Sequence, residues 1–248
     1  MLQTRLLMGM PITVEIVDVG VEERFFDEVF SYFDYVDKKF STYKDNSEIS
    51  KINRKEIQEV DFSPDMKQVF QLSEETKKIT KGYFDIKSKD GQYDPSGLVK
   101  GWAIHNAAQI LIRHGFVNFY VEAGGDIQAH GKNSHGENWR VGIRNPLNQE
   151  EIIKVIGLSG NGIATSGTYV RGQHIYNPHD IENKILDILS LTVIGKNVYE
   201  ADRFATAAFA MGKDGIYFIE EFPGLEGYMV DKNGIATMTT GFKNNVLE

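Results

Sequence analysis

The stretch YEADRFATAAFAMG (199–212) places Asp202 and Thr206 four positions apart in a segment that is otherwise small or apolar after Arg203. On a helix, residues at this spacing project from one face, one turn above the other. A carboxylate and a hydroxyl held in this way suit a hard cation. Mg2+ takes oxygen ligands, commonly one or two protein carboxylates, with water and substrate phosphate completing an octahedron. The same residues also have a structural use, Asp202 as a helix cap and Thr206 bonding back to the carbonyl one turn earlier. Spacing alone leaves both open.

A second group lies in FDIKSKDGQYDPSGLVKGWAIHNAA (84–108). Asp85 and Asp94 flank a turn, and Ser96-Gly97 lead into a predicted helix with Lys100 in its first turn. Exposed N–H groups at a helix N-terminus attract phosphate oxygens, and a nearby lysine adds charge. An ordinary strand–turn–helix with a serine cap accounts for the same residues. AGGD (123–126) reads as a turn between two strand-like runs, because no helix follows as a dinucleotide fingerprint demands. SGTYVRGQHIYNPH (166–179) gathers Ser166, Thr168, Tyr169, Arg171 and His174, and an imidazole that titrates near neutrality makes His174 a candidate general base. The Walker A loop, the HExxH zinc pattern and the G-x-S-x-G elbow are all missing from the sequence.

The elements that must position these groups are legible from periodicity. Residues 12–19 alternate as a strand. Residues 21–38 carry Phe25, Phe26, Val29, Phe30, Phe33 and Val36 at helical spacing. Ser47-Glu48 open a short helix, and Ser63-Pro64-Asp65 signal another that runs to Lys81 and stops at Gly82. A third helix runs from near Gly97 to Gly115. From 116 onward FVNFYVE, ENWRVGIRN, IIKVIGLS, GIATSG and ILDILSLTVIG read as strands, followed by helices at 202–211 and 214–221 and a hairpin near 226–240. Helices cluster early and strands later, so the expected fold class is α+β with a largely antiparallel sheet and flanking helices. No linker or repeat divides residues 1–248, so one domain is expected.

With 41% apolar and 25% charged residues, the chain is built as a globular protein. Its net charge of −8 argues against a general nucleic-acid binder, since phosphate surfaces attract Lys and Arg fields. Cysteine is absent, which excludes disulfides, thiolate metal sites and a cysteine nucleophile. No window reaches the roughly 20 apolar residues of a membrane span, and the N-terminus lacks a signal-peptide core. The expected compartment is cytoplasmic, unless a leader has been removed.

In order along the chain, MGM (8–10), FSTYKDNSEISKIN, GYFDIK, DPSGLVKGWA, EAGGD, ATSGTY with HIYNP, and EADRFATA resemble the motifs of the ApbE-type flavin transferases, the FAD:protein FMN transferases. The resemblance spans about residues 8–212. It implies an ApbE-like fold and a Mg2+-dependent reaction. In it, the hydroxyl of a threonine or serine on an acceptor protein attacks the FMN phosphate of FAD, and AMP leaves. It also implies that Asp202, Thr206 and the carbonyl of Gly97 are the magnesium ligands. Flavin contacts would fall on Met8, Tyr43, Tyr83, Phe84, Asp85, Asp94, Lys100 and Ile175, with His174 deprotonating the incoming hydroxyl. Two positions depart from the family pattern: Ala205 stands where many members carry an acid, and Asn177 replaces the acid of the loop after the histidine. Alternatives are a metal-dependent FAD pyrophosphatase that yields FMN and AMP, and a flavin-binding protein without turnover.

Overall fold

The computed structural model describes residues 1–168, 175–180, 182 and 184–247. Its centre is an eight-stranded sheet in which every pairing is antiparallel, in the order β1 (Leu2–Leu7), β2 (Met10–Ile16), β3 (Phe119–Ala123), β4 (Asp126–His130), β7 (Gly162–Gly167), β8 (Ile188–Gly195), β9 (Glu226–Asp231) and β10 (Ala236–Met238). A separate hairpin pairs β5 (Trp139–Asn145) with β6 (Asn148–Leu158). Six α-helices among the described residues complete the fold: α1 (Glu23–Phe40), α2 (Glu48–Asn53), α3 (Pro64–Ile79), α4 (Ser96–Arg113), α5 (Val198–Ala210) and α6 (Gly215–Glu220). The expected α+β class with a mainly antiparallel sheet is what forms.

Strand alternation explains how the sheet is covered on both faces. In β8, Leu191 and Val193 join a core with Phe204, Ala208 and Phe209 of α5, while Ile194 turns the other way, toward Trp139, Ile156 and Leu158 of the hairpin. In β9, Met229 belongs to the helical side and Tyr228 and Val230 to the hairpin side. A further core under α1 and α4 takes Phe26, Phe30 and Phe33 against Ile12, Val14, Leu98 and Ile104. Helix α4 touches β3 and β4, α5 touches β4, β7 and β8, and the two helices touch each other, so they lie side by side on one face.

Several boundaries depart from the sequence expectation. Strand β1 precedes the expected one and pairs with it through a two-residue turn at Met8-Gly9, both with positive φ (53° and 73°). That is the turn geometry that matches strand twist, and it is costly for a methionine. Helix α3 starts as expected, with Ser63 Oγ accepting the Met66 N–H at 3.4 Å. Helix α5 begins at Val198, four residues earlier than expected, because Asn197 caps it by accepting the Glu200 N–H at 2.9 Å. Among the described residues no helix is long and apolar enough to cross a membrane.

Candidate active site

Helices α4 and α5 meet through their smallest residues. A Cβ added to Gly101 would lie 2.6 Å from Cβ of Asp202 and 2.8 Å from the carbonyl oxygen of Val198. One added to Gly97 would lie 3.1 Å from Cγ2 of Thr206. Residue 97 thus faces 206 and residue 101 faces 202, so the helices run antiparallel here. The missing side chains let backbone polar groups of α4 reach side chains of α5.

The consequence is a dense set of oxygen donors. Thr206 Oγ1 donates to the Gly97 carbonyl at 3.3 Å. One turn away, the Gly101 N–H donates to Asp202 Oδ2 at 2.7 Å, and Lys100 Nζ lies 3.5 Å from Asp202 Oδ1. Asp202 is therefore neither the cap of α5 nor a surface acid: it sits in the second turn and is 3% exposed. Thr206 bonds across to α4 instead of back to its own helix. Burial pushes the Asp202 carboxyl up to about 7, against the opposing pull of Lys100 and with the added repulsion of Asp126. A buried carboxylate, a hydroxyl and a main-chain carbonyl form a hard-oxygen donor set. These residues fit Mg2+ better than a softer ion. Among the described residues no three His, Asp or Glu side chains are grouped so as to hold a metal ion, so any such site draws on neutral oxygens as well.

Asp126 joins this group although the sequence assigned it no role. The Gly124-Gly125 turn (φ +60° and +95°) closes the β3–β4 hairpin and delivers Asp126 to within 2.5 Å of Lys100 Nζ. Its position directly after the glycine pair was the available signal. Lys100 itself opens the second turn of α4, because the helix starts at Ser96. The N-cap is Pro95 and not a serine, and Asp94 Oδ1 takes the Ser96 N–H at 3.0 Å.

Of the expected flavin-contact residues, Phe84 and Asp94 reach the start of α4, and the others are spread over neighbouring elements. Phe84 is buried, with its ring 3.4 Å from the Cβ position of Gly97, and its N–H is held by Thr80 Oγ1. Asp85 pairs with Lys77 at 2.8 Å and accepts the Lys87 N–H. The Asp94 N–H donates to the Ile86 carbonyl at 2.7 Å, which closes the 86–94 loop. Tyr83 packs edge-on to His179 and, with Ile175, against the core under α5. Tyr176, to which the sequence assigned no role, has its phenol raised first by burial and then by the negative charges of Asp85 and Asp94. Met8 packs against the core under α4, and Tyr43 stands 95% exposed. His174, Tyr169 and Arg171 lie outside the described residues. The two departures are plain structurally: Ala205 is buried in the apolar core, where an acid would lack water, and Asn177 accepts the His179 N–H in a local turn.

Two cavities lie elsewhere. One of about 300 Å3 is lined by His105, Gln128, His130 and Lys196, and one of about 430 Å3 by Tyr35, Lys39 and Glu48. In the first, Gln128 Oε1 accepts the Val198 N–H and His130 Nδ1 meets the Val117 carbonyl, while His105 Nδ1 is buried without a hydrogen-bond partner. Neither cavity is lined by Gly97, Asp202 or Thr206, and the site is marked by its donor set.

The model of the ApbE family matches residues 8–90 and 87–229, and the chain belongs to that family. Similar sequences include the FAD:protein FMN transferase of Klebsiella pneumoniae (strain 342), 29% identical over 57% of this chain and 43% of that protein. The FAD:protein FMN transferase of Haemophilus influenzae is 25% identical over 94% of this chain and 87% of its own length. The alignment with the Klebsiella relative thus spans under half of that relative's length. Among solved structures, the flavin transferase ApbE of Vibrio cholerae superposes with a TM-score of 0.86 at 23% identity, covering 99% of this chain and 98% of that one. The ApbE protein of Thermotoga maritima gives 0.88 at 22%, covering 100% and 99%. Identities this low establish a shared fold.

Proposed function

We propose that this protein transfers the FMN half of FAD to a threonine or serine hydroxyl of an acceptor protein, with Mg2+, releasing AMP. The observation that supports the reading is the contact of Thr206 with the Gly97 carbonyl, with the buried Asp202 carboxylate one turn along the same α4–α5 contact of an ApbE-family chain.

The bond formed joins the acceptor oxygen to the FMN phosphorus, and the bond broken is the phosphoanhydride to AMP. Such a transfer asks a protein mainly for in-line positioning and for neutralised charge on the phosphate oxygens. Asp202, Thr206 and Gly97 would hold Mg2+, which when bound supplies that neutralisation. Lys100 adds an ammonium beside the same oxygens. Phe84, Tyr83, Met8, Ile175 and the exposed ring of Tyr43 offer apolar and stacking surface for the isoalloxazine and adenine. Asp85 and Asp94 accept hydrogen bonds from ring or ribose donors. His174 takes the proton of the attacking hydroxyl.

Incubation with FAD, Mg2+ and an acceptor domain should yield a fluorescent acceptor band on a denaturing gel together with AMP. Release of FMN and AMP at the same rate without acceptor would assign the chain as a pyrophosphatase. FAD left intact for hours with Mg2+ and acceptor present would make it a flavin-binding protein.

A further inference from the structure

Three charged groups meet beneath the α4–α5 contact. Asp126 opens β4 and is 1% exposed. Its Oδ1 accepts the main-chain N–H of Thr165 at 3.0 Å, and its Oδ2 lies 2.5 Å from Lys100 Nζ. The same ammonium is 3.5 Å from Asp202 Oδ1. Two buried carboxylates share one cation, and they share it unequally. Coulomb energy grows as distance falls and as water is excluded, so the shorter pairing dominates. The Thr165 N–H belongs to β7 and ties Asp126 to the sheet, so this carboxylate is anchored from below while Asp202 is carried by a helix above.

We propose that Asp126 is a positioning residue: it holds the Lys100 ammonium off Asp202 and so leaves the Asp202 carboxylate able to take a divalent cation. The inference rests on the metal reading of Asp202. Take Asp126 away, and Asp202 is the carboxylate left within reach of Lys100. A full ion pair there competes with a metal for the same oxygens. Asp126 acts through Lys100 and is not itself offered as a ligand.

The test is Mn2+ titration of the full chain, free of metal and FAD, with free Mn2+ read by electron paramagnetic resonance. Asp126→Asn should weaken Mn2+ binding by about 10-fold or more. Adding Lys100→Met to Asp126→Asn should return affinity to within about 3-fold of the parent, since the competing ammonium is gone. A double variant as weak as Asp126→Asn overturns the proposal, because Asp126 then serves as a ligand or as support for the fold. Lys100→Met alone should bind Mn2+ at least as tightly as the parent, and weaker binding also overturns it. This arm stands even where Asp126→Asn fails to fold.

A second measurement needs no metal. Double-mutant cycles on urea midpoints should give a larger coupling for Lys100 with Asp126 than for Lys100 with Asp202, and equal or reversed couplings sink the pairing itself. The expected coupling combined with a parent that binds no Mn2+ would refute the metal reading of Asp202, and the positioning role with it.

Discussion

Asp202 and Arg203 are neighbours on α5, opposite in charge and both buried, yet their surroundings differ in kind. Arg203 is well paired: Nε and Nη2 donate to Glu200 at 3.0 and 2.6 Å, Nη1 donates to Thr76 Oγ1 at 3.0 Å, and the guanidinium lies over the rings of Tyr199 and Phe204. That network joins α5 to α3 and spends most of what the fork of donors can offer. Asp202 receives one main-chain N–H and an ammonium 3.5 Å away, against a capacity of about four acceptor sites. Burying a charge without full compensation is expensive, and natural cores rarely tolerate it without a reason. The contrast separates a charge paired within the fold from one that keeps acceptor capacity, as the proposed metal role requires.

The sharpest way to break this contrast is to remove each charge in turn. Asp202→Ala should cut Mg2+-dependent flavin transfer by more than about 100-fold. FAD affinity should stay within a few-fold, because the proposed ring contacts, Phe84 and its neighbours, do not include Asp202. Activity and equilibrium FAD binding, measured on the same preparation, decide this. Surviving activity would return Asp202 to a structural role. Arg203→Met should do the reverse. It keeps the aliphatic stem over the rings but strands Glu200, whose remaining cation is Lys196 at 3.7 Å. Because Glu200 keeps some water contact, the expected loss is about 2–3 kcal/mol in urea unfolding, at the low end for a broken buried pair. Activity per folded molecule should change little. If Arg203→Met instead leaves stability untouched and abolishes turnover, the division between the two neighbours fails.

How much of this could be read beforehand depends on how far each determinant lies along the chain. Helix α3 was legible because its start is local, with serine, proline and aspartate in consecutive positions. The N-terminus of α5 was equally local, since Asn197 with Glu200 three residues on is a capping signature, but the apolar run after Arg203 drew attention past it. Strand β1 was hidden by its turn: Met8 adopts a positive φ that its side chain disfavours, and no propensity scale places methionine there. The Asp202–Thr206 pair was readable from spacing. Its partners were not, because Gly101 is 101 residues away and their contact depends on two glycines allowing close approach. Asp126 belongs to the same class: only the pairing of β4 with β7 and the packing of α4 bring it to Lys100.

A further test asks why Asp202 is under-compensated. Its carboxyl ordinarily titrates at 3.8 and is raised to about 7 in the fold, first by burial. The folded state therefore binds this proton more tightly than the unfolded chain does. For a group raised in this way, the stabilising contribution is complete below about pH 4 and is lost as pH climbs through about 7. Asp202→Asn has no such proton, so the melting midpoint of the metal-free parent, taken relative to Asp202→Asn, should fall between these limits and level off above them. Each kcal/mol lost corresponds to about 2–4 °C in a chain of this size. A bound divalent cation replaces the proton as the partner of the carboxylate, so adding Mg2+ should raise the parent midpoint most at the alkaline end and leave Asp202→Asn almost unmoved. A midpoint difference that stays flat with pH would mean that Asp202 is as well compensated as Arg203, and the distinction between the two neighbours would lose its physical basis.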